Sequence, residues 1–201
     1  MKFLISPKYL HVKKLAIINK LDELNNYKAW LSQIYHMVCH STEQAIYASK
    51  KLENKKLANY FASLVDGEAN HEKLIENDMK ALNFTPDEEL PITKALYTLP
   101  FYDIDRQNPY TLLGYIMFLE LLAIDVGPSL YEKIKKNYGK GYTFLKVHAV
   151  EDQNHVAEAE KFIAKFDHAE QAKIFQAFNN TADLYAKMLE DVFNIASAKA
   201  A

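Results

Sequence analysis

Between Phe144 and Phe166 the sequence places His148, Asp152 and His155 on the stripe that a helix would bury, in line with Phe144, Ala159, Phe162 and Phe166. Their i, i+4, i+7 spacing at 3.6 residues per turn confines the three polar groups to about 60° of arc. Burying a carboxylate and two imidazoles without partners costs several kcal/mol, so the interior must satisfy them. A bound metal does so. A histidine pair hydrogen-bonded to Asp152 without metal does so too, and the motif alone leaves both readings open.

Two further segments carry the same anomaly. Glu68 and His71, at i, i+3, interrupt the apolar stripe Leu57, Phe61, Leu64, Ile75, Leu82. This is the Glu-x-x-His arrangement that carboxylate-bridged di-iron proteins project into a helical core, although the same pair on a solvated face carries no such meaning. Glu120 lies within Leu112 to Ile124, a segment apolar on nearly every side, with no Lys or Arg within a turn of it. A buried carboxylate protonates, meets a cation or binds metal.

Together the segments offer Glu68, His71, Glu120, His148, Asp152 and His155. That mixed nitrogen and oxygen set suits Fe(II), with Mn(II) as the alternative, and two metals bridged by carboxylates would use all six. Histidines disfavour calcium, and zinc brings no redox chemistry. The single cysteine, Cys39, excludes a cysteine-rich zinc or iron–sulfur site and an internal disulfide. His36, His40 and Glu43 repeat the opening spacing, but the stripe Leu31, Ile34, Val38, Ala45, Leu52 runs beside them. They are read as pocket-lining or helix-edge residues rather than ligands.

These side chains must be positioned by helices. Gly (5) and Pro (6) are scarce, helical periodicity fills most of the chain and no segment sustains strand alternation, so an all-α fold is expected. Long helices are expected near 26–52, 54–82, 109–137, 142–166 and 168–196, after a short one at 7–19. Asn108-Pro109 opens the third, Tyr138-Gly139 closes it and Asp167 caps the last. Pro86, Pro91, Pro100 and Pro109 mark 83–108 as a loop with at most a helical turn around Thr93–Tyr97. The segment from Ile195 to Ala201 reads as a fraying tail. Phe61, Phe118, Phe144 and Phe162 are expected to wall a dry cavity.

The chain has 201 residues, 49% of them hydrophobic, which suits one domain of ordinary size spanning 1–201 with a metal-binding core at 26–166. Its 24 Lys and Arg nearly balance 26 Asp and Glu, with no basic block, so no nucleic-acid or membrane-surface role is expected and a small molecule is the expected partner. Lys8, His11, Lys13 and Lys14 follow the apolar opening too soon for a secretory signal, which points to a cytoplasmic protein. The apolar run at Leu112 to Ile124 is shorter than the ~20 residues a membrane span needs. A homodimer stays open.

With these residues assembled, the chain resembles the haem-oxygenase-like superfamily, and within it the non-haem di-iron oxidases. The likeness rests on His148-x-x-x-Asp152-x-x-His155, on Glu120 in the preceding long helix and on Glu68-Ala-Asn-His71. It implies a helical bundle of about five long helices whose centre holds two irons that activate O₂, supplied by an external electron donor. Substrates in the branch range over amino acids, fatty acids and tyrosine-derived groups. Members differ in where the carboxylate before the first histidine lies. Seven residues before His71 stands Leu64, so Glu68 is the candidate, with Glu43, Asp66 and Glu72 as substitutes. The chain is similar, more weakly, to TenA-type thiamin-salvage enzymes and cofactorless PqqC-like oxidases. The competing expectations are haem binding or breakdown with His36 or His40 as axial ligand, and a metal-free enzyme or binding domain with a buried polar network.

Overall fold

A computed structural model describes residues 2–151 and 155–200. In chain order the helices are α1 (Pro7–Ile18), α2 (Leu24–Val38), α3 (Ser41–Lys51), α4 (Lys55–Glu68), α5 (His71–Ala81), α6 (Pro91–Arg106), α7 (Leu112–Tyr138), α8 (Thr143–Lys146), α9 (His155–Ile163) and α10 (His168–Ala200). A 3₁₀ turn at Pro109–Thr111 leads into α7, and a π turn at Val147–Glu151 follows α8. Among the described residues there is no strand, as the periodicity predicts.

The 33-residue α10 packs along α7, α1, α2 and α6. Buried residues from Phe3 to Ala196 join in a shared cluster, with Phe61, Phe118, Phe178 and Leu113 fully enclosed. Helix α7 is long and apolar enough, with its 3₁₀ lead-in, to cross a membrane, but 61% of that apolar window is buried within the protein. It is the central helix of the bundle, and Gly139, at φ 67°, ends it in the left-handed conformation that favours glycine.

Two expected long helices are broken. The chain turns at Cys39 and His40 between α2 and α3, with neither Gly nor Pro to announce it. Between α4 and α5, Ala69 is extended and Asn70 adopts φ 69°, a left-handed conformation that Asn tolerates better than most residues. Glu68 is therefore the last residue of one helix and His71 the first of the next. In the expected helix at 142–166, α8 passes directly into the π turn, which widens the helix where His148 sits.

The segment 83–108 is not a loop, because α6 occupies most of it. Pro91 starts the helix, where its missing N–H is no loss, and Pro100 is accommodated inside it. Thr93, Leu96, Tyr97, Pro100, Asp103 and Ile104 are buried at helical spacing, and burial of that face outweighs one lost backbone bond. The tail also differs from expectation: α10 runs on to Ala200, and Ala196 is buried.

Candidate metal centre

Glu68 ends α4, His71 begins α5, Glu120 lies in the first third of α7, His148 is in the π turn and His155 is the first described residue of α9. Their placement depends on two long-range contacts. Asp78 of α5 is buried and accepts hydrogen bonds from the first residues of α8, which sets α5 against the segment bearing His148. Gly127 of α7 faces Ala149, and a Cβ there would approach the alanine Cβ to 2.6 Å, so the missing side chain lets the π turn sit against α7.

His71 is 8% exposed and its Nδ1 lies 3.2 Å from Glu68 Oε2. His155 Nδ1 lies 3.1 Å from Glu120 Oε1, and Glu120 is 9% exposed. The His71 and His148 rings meet edge to face at 4.7 Å, and Phe144 packs on His148 at 4.4 Å. Two sets of potential ligand atoms result, each within 4.8 Å of one another: Glu68, His71 and His148, and Glu68, Glu120 and His155. Glu68 belongs to both.

Burial works to raise the Glu68 pKa, but the hydrogen bond with His71 and the charges of His148, His71 and His155 outweigh it and hold the carboxyl below its ordinary range. The donor set is imidazole nitrogen and carboxylate oxygen from separate elements, which fits first-row divalent metals. Asp152 lies outside the described residues.

His36 and His40 stand elsewhere. His36 Nε2 is 2.9 Å from the Asp87 carbonyl oxygen, while His40 stacks on Tyr97 at 4.1 Å and its Nδ1 is 3.1 Å from Glu43. Among the described residues neither they nor Glu43, Asp66 and Glu72 join the two ligand sets.

A cavity of about 170 Å³ runs from Glu68, Glu120 and His148 into an apolar chamber walled by Trp30, Ile34, Met37, Leu119 and Leu189. Of the four phenylalanines expected to wall it, Phe144 does. Phe61 and Phe118 are enclosed in the core, and Phe162 packs on Tyr60 at 4.9 Å. The sequence reading missed Gln44, Tyr115 and Tyr185, which line the chamber. Aromatics at helical spacing look like core, so their pattern carried no signal. Tyr60 was missed too: its buried hydroxyl has no hydrogen-bond partner among the described residues, and burial, then the charges of Glu120 and Glu158, raise its pKa.

Comparison with solved structures places the fold. A domain of unknown function with a haem-oxygenase-like fold from Shewanella denitrificans OS217 superposes with a TM-score of 0.78 at 18% identity, covering 95% of this chain and 85% of that one. A TenA homologue from Pseudomonas syringae pv. tomato DC3000 gives 0.77 at 16%, covering 94% and 88%. A TenA homologue from Pyrococcus furiosus gives 0.70 at 13%, covering 91% and 99%. The fold is haem-oxygenase-like. A search of curated proteins gives no match. The family model described as iron-containing redox enzyme matches residues 28–186, a span that takes in both ligand sets, and the chain belongs to that family.

Proposed function

We propose that the protein is a non-haem di-iron oxidase or oxygenase, with manganese able to replace iron, that uses O₂ on a small and largely apolar molecule. The observation that carries this reading is the position of Glu68, shared between two nitrogen and oxygen ligand sets. In that reading His71 and His148 would hold one metal and Glu120 and His155 the other, with Glu68 available to both and Asp152 the sixth expected ligand.

Bound there, a ferrous pair supplies electrons for the reduction of O₂. The protein's own contribution is positional. Its imidazoles must be neutral to act as ligands, so a metal entering the site would displace the imidazole protons whose charge holds Glu68 ionised. The apolar chamber excludes water from the side of Glu68, Glu120 and His148 and receives the substrate. Turnover calls for an external electron donor.

The test is metal content and gas uptake. Protein purified without oxygen and supplied with Fe(II) is expected to hold two irons per chain and to consume O₂ on mixing. Failure to retain stoichiometric iron overturns the reading. A Soret band after haemin addition would assign the site to haem instead.

A further inference from the structure

At the chamber's wall opposite the carboxylates in chemistry stand two phenols. Trp30 Nε1 donates to Tyr185 Oη at 2.8 Å. The Gln44 amide, whose Nε2 donates to the Tyr97 carbonyl at 2.7 Å, lines the chamber together with Tyr115. A phenol oxygen that accepts from a neighbour keeps its own proton to give. Among the described residues no acceptor takes the proton of either hydroxyl, and Trp30, Gln44, Tyr115 and Tyr185 all line the chamber. Tyr115 and Tyr185 are 6% and 3% exposed, so an unmatched donor there is expensive unless something in the chamber accepts from it.

The charge of the lining narrows what that acceptor is. Among the described lining residues there is no Lys or Arg, and the ionisable groups are Glu68, Glu120, His148 and the two tyrosines. A carboxylate beside the phenols would be buried with no Lys or Arg to pair with it. We infer that Tyr115 and Tyr185 anchor the substrate through a neutral acceptor oxygen, a carbonyl, ether or hydroxyl, carried on an otherwise apolar body. This rests on reading the chamber as the substrate site of the metal centre. Trp30 acts as a positioning residue, its indole N–H held on the Tyr185 oxygen.

The volume suggests the probes, since an apolar cavity of about 150 Å³ accepts benzene. Binding of acetophenone and of ethylbenzene is measured by calorimetry on the iron-loaded protein without oxygen, in wild type, Tyr115→Phe, Tyr185→Phe and the double variant. Wild type is expected to prefer acetophenone about five-fold or more, the gain of roughly one neutral hydrogen bond. The preference falls in each single variant and vanishes in the double variant, while ethylbenzene affinity stays within about two-fold throughout, which reports intact folding. Equal binding of the two probes to wild type, or a preference that survives in the double variant, overturns the anchor. On protein stripped of iron, benzoate is expected to bind more weakly than acetophenone, and tighter binding of benzoate there overturns the neutral acceptor. Iron content measured on the same samples separates failure of the anchor from failure of the metal reading.

Discussion

Asp78 and Thr143, 65 residues apart, are joined through one carboxylate oxygen: Asp78 Oδ1 accepts from the Thr143 backbone N–H at 2.9 Å and from its hydroxyl at 2.6 Å. The other oxygen accepts from the Phe144 N–H at 2.9 Å. One side chain of α5 thus caps α8 and fixes the distance between His71, seven residues before it, and His148, five after Thr143.

Replacing Asp78 by Ala should therefore affect both stability and metal. It leaves buried donors at Thr143 and Phe144 unmatched and removes a helix cap, together about 2–4 kcal/mol. Urea unfolding should show that loss, and bound iron should fall with it. An unchanged unfolding midpoint would contradict the role assigned to Asp78.

The sharing of Glu68 predicts an asymmetry among ligand variants. Glu68→Ala should abolish both metals, whereas His155→Ala should retain the iron of the His71 and His148 set. His168→Ala, at the exposed start of α10, should leave iron unchanged. Iron analysis of the three purified variants distinguishes these outcomes, and equal iron in Glu68→Ala and His168→Ala would show that no bridge exists.

The left-handed turn at Asn70 predicts a different pattern. Glycine adopts φ 69° freely, so Asn70→Gly should change stability by about 0.5 kcal/mol or less, while Asn70→Val should cost about 1–2 kcal/mol. The valine variant should also lose iron, because the turn sets Glu68 against His71. Thermal unfolding and iron content measured together decide it. Equal stability of the two variants would mean that the segment relaxes to another turn.

Alkaline pH should unfold the protein steeply. Burial raises the pKa of Tyr9, Tyr27, Tyr60, Tyr115 and Tyr185, with the Asp125 hydrogen bond adding to the effect at Tyr9. For each, the folded value lies above the unfolded value near 10, so its contribution is intact below about pH 10 and is lost as pH rises toward the folded value. Each phenol removes about 1.4 kcal/mol per pH unit in that window, and five together exceed a typical domain stability within about two units. Phenolate absorbance should rise first for the exposed tyrosines and then in one cooperative step with loss of helical signal. A gradual titration of all 13 tyrosines without such a step would contradict this.

Much of the molecule follows from the sequence by itself, because burial leaves a local mark. Helical periodicity identified the all-helical class, and the polar residues on buried stripes singled out Glu68, His71, Glu120, His148 and His155, which the structure brings together. A charged or imidazole side chain among apolar neighbours is legible precursor by precursor, since no neighbour on its own helix can satisfy it. The tertiary structure decided what such patterns cannot encode. The breaks at His40 and Asn70 follow from where the flanking helices pack, and α6 forms despite Pro100 because its far side has a bundle to bury against. The sharing of Glu68 needs α4, α5, α7, α9 and the π turn to converge, and Tyr115 of α7 and Tyr185 of α10 line one chamber, with Trp30 of α2 on the Tyr185 oxygen, only once those helices pack together. Spacing along one helix reports which face is buried; which groups from other helices meet on that face depends on packing between residues far apart in the chain.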